Sequence, residues 1–138
     1  MSEAVGIKTI RNRVDYYLKN GATEVSEEYY GSARLLMNMG LSFNKNIDTN
    51  QSKYDEFFAD YPKIEMQLAK TFAKLRETYK GKNIAVETVN AQGKPIIIEM
   101  DSERFFNYSV ENLQQSLKER GIKFNKSLFQ PKNNEKEM

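Results

Sequence analysis

Apolar residues recur at three- and four-residue spacing from the start of the chain: Ile7, Ile10, Val14 and Leu18, with Tyr17 beside them, ahead of a stop at Asn20-Gly21. This pattern predicts a first amphipathic helix. A second follows from Val25, Tyr29, Ala33, Leu36 and Met37, with Thr23 or Ser26 as cap, Glu27 and Glu28 against the positive end of the dipole, and Gly40 as the stop. The stretch LSFNKNIDTN (41–50) reads as a loop, because Asn and Asp side chains compete with a regular backbone ladder. Residues 51–60 predict a short third helix burying Tyr54, Phe57 and Phe58.

Pro62 belongs in the first turn of a helix, so a fourth helix is expected from Asp60 or Tyr61 to Tyr79, before Gly81. Its apolar stripe is Ile64, Leu68, Phe72, Leu75 and Tyr79. Lys63, Gln67, Lys70 and Lys74 share the opposite side, with no acid among them.

The period then changes to two. Gly93-Lys94 follows a strand-like run, as in a phosphate-binding loop, but such a loop needs another glycine at position 88 and Ser or Thr at position 95. Those positions hold Thr88 and Pro95, so the feature is a turn. A type I turn over Asn90-Ala91-Gln92-Gly93, with left-handed Gly93, makes a hairpin pairing Thr88 with Ile96, Val86 with Ile98 and Ile84 with Met100. These six share one face; Ala85, Glu87, Ile97 and Glu99 take the other.

A helix is needed to cover the apolar face. Ser109 is the expected cap of a fifth helix bearing Val110, Leu113 and Leu117, ended by Gly121 with Ile122 in contact after it. DSERFFNY (101–108) is expected as a separate helical turn, and Ile122, Phe124 and Leu128 as a third strand. The tail 131–138 is polar and is expected to lack order in a lone protomer. The fold class is therefore α+β: a helical bundle over 1–81, then a hairpin and helix over 82–130, in one domain. The alternative is two lobes hinged at Lys80-Gly81-Lys82.

Composition removes chemistry. The 138-residue chain has neither Cys nor His, which excludes disulfides, thiolate nucleophiles, zinc-thiolate sites and imidazole general bases. Catalysis would fall to carboxylates, Lys, Tyr, Ser or a bound divalent ion. The densest acids, Asp55, Glu56, Asp60 and Glu65, are explained by capping and solvation, and Glu87 and Glu99 lie diagonally on the hairpin without the Glu-x-Lys of a nuclease strand. An enzyme is not expected, and no cofactor is implied. No apolar run spans a bilayer, and MSEAVGIKTI lacks a signal-peptide layout, so a cytoplasmic protein is expected, or a virion-associated one. Lys outnumbers Arg fifteen to six, as in AT-rich coding sequence such as that of a phage, a mobile element or a low-GC bacterium.

Charge is uneven: net −4 over residues 24–65, +4 over 66–138 and +2 over 1–23. The aromatic pairs Tyr16-Tyr17, Tyr29-Tyr30, Phe57-Phe58 and Phe105-Phe106 each place adjacent rings about 100° apart on a helix, so one ring of a pair enters the core and the other is free for a partner. The candidate interaction surface is Arg11, Arg13, Tyr16, Lys63, Lys70, Lys74, Arg104, Phe106, Lys123 and Lys126. The first expectation is a small non-enzymatic adaptor, assembly component or inhibitor that meets a protein partner or another copy of itself. The second is a nucleic-acid-binding accessory protein using the basic residues and free rings. A carboxylate-based metal-dependent hydrolase comes last.

Overall fold

Helix α1 (Ile7–Asn20) follows directly on a two-residue strand, β1 (Val5–Gly6), in the computed structural model, which describes residues 3–20, 23–43 and 54–131. Then come α2 (Tyr30–Leu41), α3 (Asp55–Ala59), α4 (Tyr61–Thr78), β2 (Asn83–Val89), β3 (Pro95–Asp101) and α5 (Ser102–Lys118). Short 3-10 turns stand at Glu27–Tyr29 and Lys126–Phe129. This is the expected α+β arrangement, with a helical part leading into a hairpin and a helix. Gly21, most of the 41–50 loop, residues 51–53 and the tail from 132 lie outside the described residues.

The hairpin has the expected register, from Asn83 opposite Asp101 to Val89 opposite Pro95. The turn explains why. Asn90 receives the Gly93 amide on its carbonyl and the Gln92 and Lys94 amides on its side chain, and Gly93 takes φ +80°, a region closed to most L residues. Gly121 ends α5 in the same way, at φ +70°, and the Ile122 amide donates to the Leu117 carbonyl at 3.0 Å. Pro62 sits in the first turn of α4 as expected.

Four expectations are corrected. The third strand is not at 122–128 but at Val5–Gly6, which pairs in parallel with Ile84 and Ala85, giving the sheet order β1-β2-β3. Residues 101–108 are no separate turn, because α5 starts at Ser102 and the Asp101 carboxylate accepts the Arg104 amide at 2.8 Å. Ser109 is thus a mid-helix residue, buried and bonded back to the Phe105 carbonyl. The second helix opens as a 3-10 turn with no side-chain cap from Ser26, while the Thr23 hydroxyl donates to the Tyr17 carbonyl. Asp60 does not cap α4 with its side chain either; its carboxylate accepts from the Ser32 hydroxyl at 2.6 Å.

Gly40 is also more than a stop, since α2 continues through it to Leu41. A Cβ there would stand 2.9 Å from the Ser109 carbonyl oxygen and 3.5 Å from Leu113 and Phe72. The missing side chain lets α2 and α5 touch backbone to backbone. Asn112 fastens the contact, its amide donating to the Gly40 and Ser42 carbonyls at 3.2 and 3.1 Å, two acceptors at the end of α2. The core then runs from Ile10, Val14 and Leu18 on α1 through Leu36 and Met37 to Leu68 and Phe72 on α4 and Phe105, Leu113 and Leu117 on α5.

Gly40→Ala is expected to destabilise the fold by about 1–3 kcal/mol through overpacking, despite a helix-propensity gain of about 1 kcal/mol. Gly31→Ala in the same helix, where a Cβ meets nothing within 4 Å, is expected to stabilise it by about 0.5–1 kcal/mol. Urea unfolding midpoints of the two variants would check the opposed signs.

Candidate interaction surface

Tyr17 brings α1 and α4 together. Its hydroxyl lies 2.6 Å from Thr78 Oγ1, and its buried ring is flanked by the Arg13 guanidinium at 5.7 Å and the Lys74 ammonium at 5.9 Å. Tyr16 meets Tyr17 edge-on at 6.0 Å, is 51% exposed, and lies 5.7 Å from the same guanidinium. Arg13, Tyr16 and Lys74 are thus gathered from two helices onto one face. Lys70, a turn before Lys74 on the lysine stripe, is exposed. Thr9, Asn12, Arg13 and Tyr16 line an open cleft of about 330 Å³ on the outer side of α1. One charge here is partly compensated, since Lys74 is 3.8 Å from Glu77.

The other candidate residues lie apart. Lys63 shares the stripe but is about 16 Å from Lys74 along the axis. Its ammonium is 5.7 Å from the Tyr29 ring, and a hydrogen bond with Tyr29, then the charges of Asp60 and Glu28, raise its pKa. That end of the stripe is an acidic neighbourhood, a poor landing place for phosphate. Arg11 is exposed but sits about 160° around α1 from Arg13.

Arg104 donates to the Tyr108 hydroxyl at 3.4 Å, which raises its pKa, and lines an open cleft with Asp101, Glu103, Asn107, Tyr108 and Glu111. Three carboxylates in that lining outnumber the single guanidinium. Lys123 and Lys126 are exposed on the segment after α5, which docks on α4 with Phe124 tilted against Tyr61 at 6.2 Å and Phe129 edge-on to Phe72 at 5.7 Å. Arg76 holds that segment, donating to the Phe129 carbonyl at 3.2 Å and to Asn107 Oδ1 at 3.1 Å. Burial lowers the Arg76 pKa while Glu103 opposes the shift, and the guanidinium stays charged. Arg76 is about 160° around α4 from Lys74, so the segment carrying Lys123 and Lys126 runs along the other side.

Phe106 is a correction. It is fully buried, stacked near Tyr79 at 6.5 Å and edge-on to Phe105, itself fully buried, at 5.0 Å. Both rings of this pair are in the core because α5 packs on α2, α4 and the sheet at once. Tyr16-Tyr17 divides as expected, one ring out and one in.

The sheet supplies a surface that the candidate residues missed. Of the hairpin's apolar face, Ile84 and Val86 are buried but Ile98 is 39% exposed, and on the other face Ile97 is 67% exposed. No strand pairs with the far side of β3 among the described residues. The bonds Asn90 to Lys94 and Ser102 to Lys82 at the hairpin's two ends put even-numbered β3 residues in the hydrogen-bonded pairs with β2. The backbone groups of Ile97 and Glu99 therefore point outward. One signal was legible: three successive isoleucines in a two-residue period force one of them, Ile97, onto the solvent face.

No family model, curated protein or solved structure matches the chain.

Three of the four densest acids have partners within the chain. Asp55 pairs with Arg120 at 3.4 Å, Asp60 accepts from Ser32, and Glu65 accepts from the Tyr61 hydroxyl at 2.7 Å. No group of three such ligands converges among the described residues. Asn83 reaches Glu99 at 3.4 Å across the hairpin. No helix among the described residues is long and apolar enough to cross a membrane.

Tyr61 is buried, and burial first, then its bond to Glu65 and that carboxylate's charge, push its pKa far above the ordinary value of 10.0. Its neutral form thus stabilises the fold fully below about pH 10, and that share is lost as pH rises above it, where only the unfolded phenol gives up its proton. Tyr61→Phe should cost about 1–2 kcal/mol at pH 7 through the lost bond and show a shallower alkaline decline. Urea titrations at neutral and alkaline pH would check both.

Proposed function

We propose that this protein is a small protein-interaction module whose partner adds an extended strand to the open edge of β3. The observation that carries the reading is the outer side of β3, where outward-facing amide and carbonyl groups stand beside Ile97, 67% exposed. Main-chain bonds to an added strand supply affinity, and the alternating side chains supply selectivity. Isoleucine on a sheet edge is the opposite of the charged, blunted edges by which proteins avoid such pairing. Pro95 removes an outward donor at the start of the strand, so only the stretch from Ile96 onward is open to a full ladder. The missing Cys and His, and the internally paired acids, fit a role in binding rather than catalysis.

A second reading rests on Arg13, Tyr16, Lys70 and Lys74. Three cations beside an exposed ring suit single-stranded nucleic acid, the cations meeting phosphates and the ring a base. With three phosphates neutralised, affinity for single-stranded DNA should fall roughly 20-fold between about 50 and 200 mM salt. Neutralising Lys70 and Lys74 to Gln should flatten that dependence. Fluorescence anisotropy would decide, and absence of binding at micromolar protein would sink this reading.

The edge reading is tested by selecting short extended peptides from a displayed library against the full chain, then measuring the selected peptides on Ile97→Pro. That substitution removes an outward N–H without breaking a bond to β2. Affinity should drop about tenfold, the worth of one hydrogen bond of about 1.4 kcal/mol, with circular dichroism unchanged. Peptides that bind the variant equally well, or a selection that yields none from a chain that sediments as a monomer, would overturn it.

A further inference from the structure

The strand that fits the β3 edge best is β3 itself. We infer that two copies of this chain pair edge to edge, antiparallel, about a two-fold axis through Ile97, an inference that rests on the edge reading above. The outward residues of β3 are Pro95, Ile97, Glu99 and Asp101, and a two-fold ladder must set outward residues opposite one another. That restricts the axis to a residue position. Centred on Ile97, each Ile97 amide reaches the other copy's Ile97 carbonyl, and each Glu99 amide reaches the carbonyl of Pro95, the residue that has no donor to offer in return.

The side chains select the same register. Ile97 meets Ile97 on the outer face, where each is the most exposed large apolar group of the molecule's described residues, and Ile96 meets Ile98 on the other face. Isoleucine thus opposes isoleucine at every central position. Charge agrees, because a base, Lys94, immediately precedes β3 and acids, Glu99 and Asp101, stand at its end. An antiparallel pair brings unlike ends together: Lys94 lies opposite Met100 of the second copy, whose neighbours along the strand are Glu99 and Asp101, with side chains on the other face of the sheet. The two Glu99 residues are then about 13 Å apart along the strands, beyond the screening length of about 10 Å at 0.1 M salt. Centring on Ile98 would halve that separation and set Ile97 against Glu99; centring on Glu99 would place the two acids face to face. β1-β2-β3 and its mate would form one continuous sheet, removing both open β3 edges.

The test uses the absence of cysteine from the chain. In a hydrogen-bonded antiparallel pair the two Cα atoms are about 5.5 Å apart, within disulfide reach, so Ile97→Cys should cross-link into a covalent dimer under mild oxidation. Ile98→Cys, whose mate lies two positions out of register at about 8 Å, should cross-link at least about tenfold more slowly. Sedimentation of the unmodified chain should show a concentration-dependent dimer, and Ile97→Lys, which sets two like charges opposite each other at an exposed position, should stay monomeric with unchanged circular dichroism. A chain monomeric at every concentration, a dimer indifferent to Ile97→Lys, or equal cross-linking of the two cysteine variants would overturn the proposal. A strictly monomeric chain that still binds the selected peptides, and loses them on Ile97→Pro, would remove self-pairing while leaving strand addition standing.

Discussion

The contact on which the other packing depends is the backbone approach of α2 to α5 at Gly40. With no side chain there, the Ser109 carbonyl can lie where a Cβ would be 2.9 Å away, and Asn112 ties off the carbonyls of Gly40 and Ser42. Bringing α5 this close puts it in the middle of the molecule, against α2, α4, both hairpin strands and the turn at Lys126–Phe129. A helix so placed must be apolar on several sides, which is why the adjacent rings Phe105 and Phe106 are both buried. Phe105 continues outward into Phe43 at 5.4 Å, and Phe106 into Tyr79. Rings from α5 thus reach the chain just after α2 and the end of α4.

The same placement accounts for what stays uncovered. Asp101 is both the last residue of β3 and the cap of α5, so the helix leaves the sheet from the end of the edge strand without crossing its length. Cover falls on Ile84 and Val86 of β2, which also receive α1, and thins toward Ile98 and the hairpin tip. An open edge here follows from a strand and a helix that share a residue.

Local chemistry was legible in the sequence and distant chemistry was not. The hairpin register could be read because Asn90, Gly93 and the alternation on either side fix it within a dozen residues. The limits of α4 could be read because Pro62 and Gly81 punctuate a strong period. The strand at Val5–Gly6 could not, since two residues carry no period and their partner lies far along the chain. The cap at Asp101 is not legible in sequence because Ser109, a polar residue nearer the apolar run, carries the same signal although it lies buried in mid-helix. In the candidate surface, the lysine stripe of α4 was visible as a wheel. Its division into a Tyr29 end among acids and a Tyr17 end beside Arg13 depends on how α1, α2 and α4 cross. The burial of Phe106 is not legible for a similar reason, since a helix wheel gives a ring's direction but not the number of neighbours around it.

The parallel pairing of Val5 with Ile84 also orders events in time. During synthesis β1 emerges first and has nothing to pair with until the chain has passed through all of α4 and into β2. The helices can form early from local contacts, but the sheet closes only after a long loop has been brought round, the kind of closure that slows folding. In that interval the hairpin strands have neither their short parallel neighbour nor a helix above them. Until α5 docks, the apolar face and the open edge of the hairpin are therefore exposed together, the condition in which partly folded chains associate.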